Sequence, residues 1–453
     1  MYLAAVSMQT SPDAGARVRD RSAAGTASGG PLTGSSSGWT VIVAYSLVCA
    51  ATQVLWLTYA AITTESAKHY GVSVGAIGWL AEIFPLLYVV LAIPAGILLD
   101  RWFRPVLTGG GVLVALGGLV RLGGDTFAWA MAGQVLVAVA QPVVLSAVSK
   151  LAGEYLPARE RPTGIAVGSA GSFVGMLLAL ILGPTVGGHG QIERLLMLEA
   201  VLAAIPVVLL ALALRRPGHA SEEHAAIASG AARGLWALPA MRTMCGLVFI
   251  GFGVFVAMAT WLQTLLQPAG VSETAAGLLL VGMVIAGVIG CGALAPQVVA
   301  KGAEKSFMRV AVLVSAAGCV ALGVLPWLGA QGVVIVAMGL FLLPSLPVIL
   351  TATERLAGPA AGTAGAIVWM AGNLGGLFVA LIVQVLVHHP LPAFVAMAIV
   401  SLLGLPLVAR LVPVAAASGG SYGEAMPGRP PDGASPGRGA EGPVPARAPA
   451  GGA

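Results

Sequence analysis

The apolar residues of this chain arrive in blocks of about twenty, parted by short segments that hold most of the charge. A helix rises about 1.5 Å per residue, so each block is long enough to cross a hydrocarbon core of roughly 30 Å. Inside such a core each backbone amide must be satisfied within the protein, and for blocks of this length that means α-helices. Composition agrees: 58% of the residues are hydrophobic and 9% are charged, against roughly 25% charged in soluble domains. The abundant glycine, 62 residues, suits helices that pack backbone to backbone.

The blocks predict about twelve spans, over roughly 39–64, 75–99, 104–123, 127–151, 163–187, 193–215, 241–266, 274–298, 306–328, 331–354, 360–387 and 391–412. Pro94, Pro206, Pro344 and Pro347 fall inside spans, where neighbouring helices can re-satisfy the freed carbonyls. An even count puts both termini on one side of the membrane. Arg101, Arg104, Lys150, Arg159, Arg161, Arg215, Arg216, Arg242, Lys301, Lys305, Arg309 and Arg355 share that side, whereas the other holds Lys68, Arg121 and Arg194. The positive-inside rule then makes both termini cytoplasmic, in a cell (inner or plasma) membrane. The net charge of +5 is thereby spent on topology, and no nucleic-acid partner is expected. Residues 1–38 and 413–453 are expected to be disordered cytoplasmic tails, and 216–240 a cytoplasmic linker, between six-helix units at 39–215 and 241–412.

Those two units repeat one another. PVVLSAVSKLAG at 142–153 recurs as PVILTATERLAG at 347–358, and AGSFVGMLLALI at 170–181 as AGNLGGLFVALI at 371–382. A third pair sets YGVSVGAIGWL (70–80) against AGVSETAAGLL (269–279). Both copies begin on the same side, so the repeat is parallel, about an axis normal to the membrane, as in transporters whose halves rock about a central site. The expected fold is an all-α membrane protein with twelve transmembrane helices in two parallel-repeat six-helix halves.

Local motifs now identify the family the chain resembles. GILLDRWFR (96–104) is similar to the G-x-L-x-D-R-x-G-R loop of the major facilitator superfamily, with Phe103 at the usual loop glycine; the second-half counterpart GALAPQ (292–297) lacks the acid. GPTVGG (183–188) resembles that family's exporter element in helix 5, and EYLPARERPTG (154–164) its loop 4–5. The resemblance implies gating by Asp100 and Arg101, export, and a monomeric carrier. A narrower resemblance, carried by WLTYAAI (56–62), YGVSVGAIGWL and GQVLVAVAQPVVL (133–145), is to the haem/choline transporter family related to the feline leukaemia virus subgroup C receptor. Glu82 and GPTVGG depart from that family's pattern.

No catalytic constellation is present, so no enzyme, cofactor or metal site is expected. Cys49, Cys245, Cys291 and Cys319 all lie inside apolar blocks without ligand spacing and read as packing residues. Function must then rest on polar groups within spans. Glu82 is the leading one: a carboxyl withdrawn from water holds its proton more tightly, which suits a proton carrier or a counter-charge for a cation. Its alternative is a carboxylate snorkelling to the outer surface. Gln134 and Gln141 lie about two turns apart on one helix face and are candidates for solute contact or for helix–helix hydrogen bonds; Gln134 stands where many members of the resembled family carry arginine. Asn373 offers the same two readings. Trp56, Tyr59 and Trp261 fall near the expected cavity, Trp56 and Trp261 at repeat-equivalent positions, and aromatic faces near a carboxylate suit a cationic solute. The expected partners are a small, cationic organic solute, protons and the lipid bilayer. The expected function is a secondary active exporter working by alternating access, with facilitative transport of choline-like amines or haem, or a sensor on a transporter scaffold, as alternatives.

Overall fold

The computed structural model describes residues 33–60, 62–187, 190–216 and 231–411; the expected C-terminal tail, residues 1–32 of the expected N-terminal tail and most of the linker lie outside them, while residues 33–38, expected in that tail, are the first turns of α1. Sixteen α-helices carry the described chain: α1 Thr33–Leu57, α2 Thr63–Tyr70, α3 Val74–Arg101, α4 Phe103–Val120, α5 Phe127–Tyr155, α6 Arg161–Leu182, α7 Ile192–Ala213, α8 Ala231–Ala237, α9 Pro239–Leu266, α10 Glu273–Ala300, α11 Glu304–Val324, α12 Leu328–Leu342, α13 Ser345–Ala357, α14 Ala361–Leu386, α15 Pro390–Leu402 and α16 Gly404–Arg410. Among the described residues 11 helical runs are long and apolar enough to span a membrane, and one of them, Leu328–Leu386, is 59 residues long. That run turns back at Gly358 (φ 52°), so it crosses twice, and the fold has the twelve crossings expected. The end of the bundle holding Thr33 and Arg410 is called the terminal face below; the opposite end is the far face.

Two departures from the expected spans have local causes. The first span stops at Leu57 instead of reaching residue 64, because the polar stretch TTESAKHY forms its own short helix, α2. The tenth span divides at Leu343–Pro344, between α12 and α13, where proline has no amide to continue the ladder.

The repeat is visible atom by atom. Ser73 caps α3 by accepting a hydrogen bond from Ala76 N at 3.1 Å, and Ser272 caps α10 by accepting from Ala275 N at 3.2 Å. Two residues before each cap stands a left-handed glycine, Gly71 (φ 65°) and Gly270 (φ 80°), a conformation costly for any residue with a Cβ. The shared G-V-S of the third repeat match is therefore a turn-and-cap unit.

Glycine also sets the closest helix contacts. A Cβ on Gly171 or Gly175 of α6 would stand 2.5 Å from Ser46 O or 2.2 Å from Ala50 O of α1, and one on Gly375 of α14 would stand 2.0 Å from Phe249 O of α9. Gly372 and Gly376, the repeat equivalents of Gly171 and Gly175, meet side chains at 3.2 Å instead, so the close backbone approach has shifted to Gly375. Gly375→Ala is expected to push α9 and α14 apart and destabilise the protein by about 1–3 kcal/mol. Gly277→Ala, where nothing lies within 4 Å, is the control. Equal thermal unfolding of the two variants in detergent would contradict this packing account.

Candidate functional site: a seam between the two sets of six helices

At the terminal face the last turn of α3 delivers Asp100 to the first turn of α14. Its carboxylate accepts from Gly362 N (2.9 Å), Thr363 N (2.8 Å) and Thr363 Oγ1 (2.5 Å). Free amides and the positive end of the helix dipole make such a helix start a natural anion site. Lys150 of α5 supplies the counter-charge, donating to Asp100 O at 2.9 Å and Oδ1 at 3.3 Å. One turn up, Gly96 lets α3 lie against α14: a Cβ there would be 2.7 Å from Thr363 Cα. Two further ties cross the seam at the same end. Arg161 Nη1 of α6 donates to Glu354 Oε1 of α13 at 3.0 Å, and Ser149 of α5 donates to Leu350 O of α13 at 3.3 Å. Among the described residues, the hydrogen bonds joining the first six spans to the last six all lie at this end. The seam is shut at the terminal face.

Arg101, expected to act beside Asp100, is exposed and lies with its guanidinium 4.5 Å from the Trp102 ring centroid. Lys150 occupies the role of base at Asp100. Sequence reasoning missed Lys150, Thr363 and Glu354. The one signal for Glu354 was the repeat, which sets it opposite Ser149, the α5 residue that also reaches across the seam.

Deeper in, a small, narrow apolar cleft lies where Phe173 of α6 meets Phe252 and Phe255 of α9, with Ser345 of α13 on its wall. Phe173 and Phe255 stand edge to face at 6.0 Å, and Trp369 of α14 stands edge to face with Phe252 at 5.7 Å. Trp369 Nε1 is buried with no partner. None of these aromatic residues was foreseen as a solute contact.

The foreseen residues divide. Trp56 is half-buried, its Nε1 donating to Ala81 O of α3 at 3.0 Å and its ring 6.1 Å from that of Phe84. Trp261 is half-buried and donates to Ala380 O of α14 at 3.1 Å. Tyr59 goes elsewhere. It follows the end of α1, so helical spacing no longer places it on the Trp56 face, and it is buried in a satellite cluster with Ile62, Ile77 and Leu80. Gln134 is buried and ties α5 to α3 through Nε2→Leu80 O at 3.1 Å. Gln141 is buried with its amide nitrogen unpartnered. Asn373 is half-buried and donates to Trp369 O of its own helix at 2.9 Å. Glu82 is exposed on α3.

A second polar centre lies at the far face. Arg121 Nη2 donates to Glu199 Oε2 at 3.1 Å, and Thr58 Oγ1 donates to the same oxygen at 2.7 Å. The two charged side chains are 0% and 1% exposed. Charge counting had set Arg121 among the few basic residues of the far side; it and Glu199 are both buried. Gly133 makes room for the arginine stem, since a Cβ there would stand 2.3 Å from Arg121 Cγ.

The sequence pattern of the Major Facilitator Superfamily matches residues 41–380. Solute carrier family 49 member A3 of Danio rerio is 27% identical over 377 residues, covering 78% of this chain and 80% of that protein. The choline/ethanolamine transporter FLVCR2 of Homo sapiens is 29% identical over 152 residues, 33% of this chain and 29% of that protein. Among solved structures, the human organic anion transporter MFSD10 superposes with a TM-score of 0.70 at 15% identity, covering 82% of this chain and 99% of that one. The Escherichia coli fucose:proton symporter FucP gives 0.65 at 15% identity, covering 83% and 98%.

Proposed function

The chain belongs to the major facilitator superfamily and carries a solute rather than catalysing a reaction, and from that premise we propose that it exports a small organic solute by alternating access. The observation that carries this reading is the Asp100 clamp: one carboxylate on α3 holds the start of α14, and the other seam-crossing hydrogen bonds lie at the same end. Such a clamp is what a rocking carrier needs to hold one face shut while the other is open. With the terminal face cytoplasmic, as the basic residues argue, this conformation is closed to the cytoplasm. The cell membrane is the expected location, and a monomer the working unit.

The solute-facing candidates are the aromatic walls of the cleft together with Trp56, Trp261, Gln141 and Asn373. Rings at the cleft and a carboxylate on α3 favour a cationic solute, with Glu82 carrying a proton in exchange. The GPTVGG segment at the end of α6 supports export. Glu82→Gln is expected to abolish the dependence of flux on a pH gradient. Unchanged coupling in that variant removes Glu82 from the proton step.

A second reading, facilitative transport of choline-like amines without a proton, is favoured by the relatives named choline/ethanolamine transporters, which align with about a third of the chain. Flux of choline indifferent to pH would select it. A sensor on a transporter scaffold would bind solute without moving it.

A further inference from the structure

We infer that Glu82 and Gln384 are the gating pair of the far face, meeting across the seam when the terminal face opens. The inference rests on the alternating-access reading above.

Helical register supplies the first argument. Asp100 and Glu82 lie eighteen residues apart on α3, which at about 3.6 residues per turn is five full turns, or about 27 Å. Glu82 therefore shares the face of α3 on which Asp100 and Gly96 touch α14. The antiparallel α14 offers the same count: Thr363, held by Asp100, and Leu381 are also eighteen residues apart. Leu381 thus stands at the height and on the face that answers Glu82, with Gln384 less than a turn beyond.

The tryptophans give an independent check on that height. Trp56 and Trp261 are repeat-equivalent, and each donates to a carbonyl of one of these two helices: Ala81 O on α3 and Ala380 O on α14. Each braced residue immediately precedes one of the facing positions, Glu82 and Leu381. The two gate helices are therefore held from behind at the same level.

At the far end the facing sides of α3 and α14 are uncovered in this conformation. Glu82 and Gln384 are exposed, Leu381 is 57% exposed and Leu377 41%, and on α3 Leu86 is 49% exposed. A carboxylate turned toward lipid would be costly, so its face belongs to the aqueous seam. Pro85 and Pro94 lie inside α3 between the two acids, and each removes a ladder hydrogen bond where the upper part of the helix can lean away from α14. On closure, the Gln384 amide donates to the Glu82 carboxylate, and Leu86 packs on Leu377 and Leu381. One helix thus carries an acid for each gate.

The test is cross-linking with a short bifunctional maleimide in the full-length, liposome-reconstituted protein, whose four native cysteines are buried. Glu82→Cys/Gln384→Cys reports the far face, Arg161→Cys/Glu354→Cys the terminal face, and Leu87→Cys/Gln384→Cys, on the wrong side of α3, is the control. Adding Asp100→Ala should raise far-face cross-linking about tenfold and lower the terminal pair to match, since charged hydrogen bonds of this kind are each worth about an order of magnitude in a two-state equilibrium. Loss of the terminal cross-link with no gain at the far face, or equal gain in the Leu87 control, overturns the pairing and leaves alternating access standing. No change in either pair overturns both.

Discussion

Arg121→Ala is expected to lower the unfolding free energy by about 3–5 kcal/mol, the usual consequence of leaving one member of a buried ion pair uncompensated. Arg121 and Glu199 close the far ends of α4 and α7 around Thr58, just past α1, with side chains 0% and 1% exposed. In this setting neither charge can fall back on water. Arg121 Nε and Glu199 Oε1 are already unpartnered, so the pair has no spare bonds to soften the loss. Glu199→Gln is expected to cost less than Arg121→Ala, because the amide oxygen can still accept from Arg121. The double variant Arg121→Met/Glu199→Leu removes both charges and should recover most of the stability, since a packed apolar pair replaces such an ion pair nearly neutrally. Thermal unfolding of the purified variants measures this. Additive losses in the double variant would show that the two residues act separately and that the clasp is misread.

Asp100→Ala should release the terminal face and cut transport at least about tenfold, because four hydrogen bonds to one carboxylate are lost and charged bonds are worth about 1.5–3 kcal/mol each. A bias of about 5.5 kcal/mol takes a two-state equilibrium from 99:1 to 1:99, so even a heavily discounted sum moves most molecules. Spin labels at Arg159→Cys and Arg355→Cys, both exposed on opposite sides of the seam, should report a longer distance in this variant. Lys150→Met is expected to do less. It removes the donor to Asp100 O and Oδ1 but leaves the three bonds from Gly362 and Thr363. An unchanged label distance in Asp100→Ala would mean that the carboxylate caps α14 without governing the gate.

What the sequence could reveal follows from the range over which each feature is encoded. Span length, mid-span proline and the repeated G-V-S stretch are local, and they correctly foretold the twelve crossings and the repeat; α2, α8, the division at Leu343–Pro344 and the break between α15 and α16 were missed, all short stretches beside or inside apolar runs. Asp100 was legible because its loop pattern is contiguous. Its partners were not, since Thr363 and Lys150 reach it only after α3, α5 and α14 have packed. The Arg121–Glu199 pair was hidden for the same reason: a charge near a span end looks solvated until the helix carrying its counter-charge is in place. Tyr59 failed differently. Spacing from Trp56 assumes a continuous helix, and α1 ends at Leu57, which turns Tyr59 toward Arg121 at 6.0 Å and away from the seam.

Counterflow in liposomes shows whether this chain moves a solute by exposing one site to alternate sides. The solute is whichever of choline, ethanolamine, other amines, haem, cationic drugs, sugars and organic acids most raises the Tm of the purified protein, since selective ligands stabilise the folded state by mass action. Saturable uptake of labelled solute, accelerated by unlabelled solute on the inside, is expected of an alternating-access carrier. A solute that raises Tm yet shows no accelerated exchange would contradict that mechanism and leave a binding protein on a transporter scaffold.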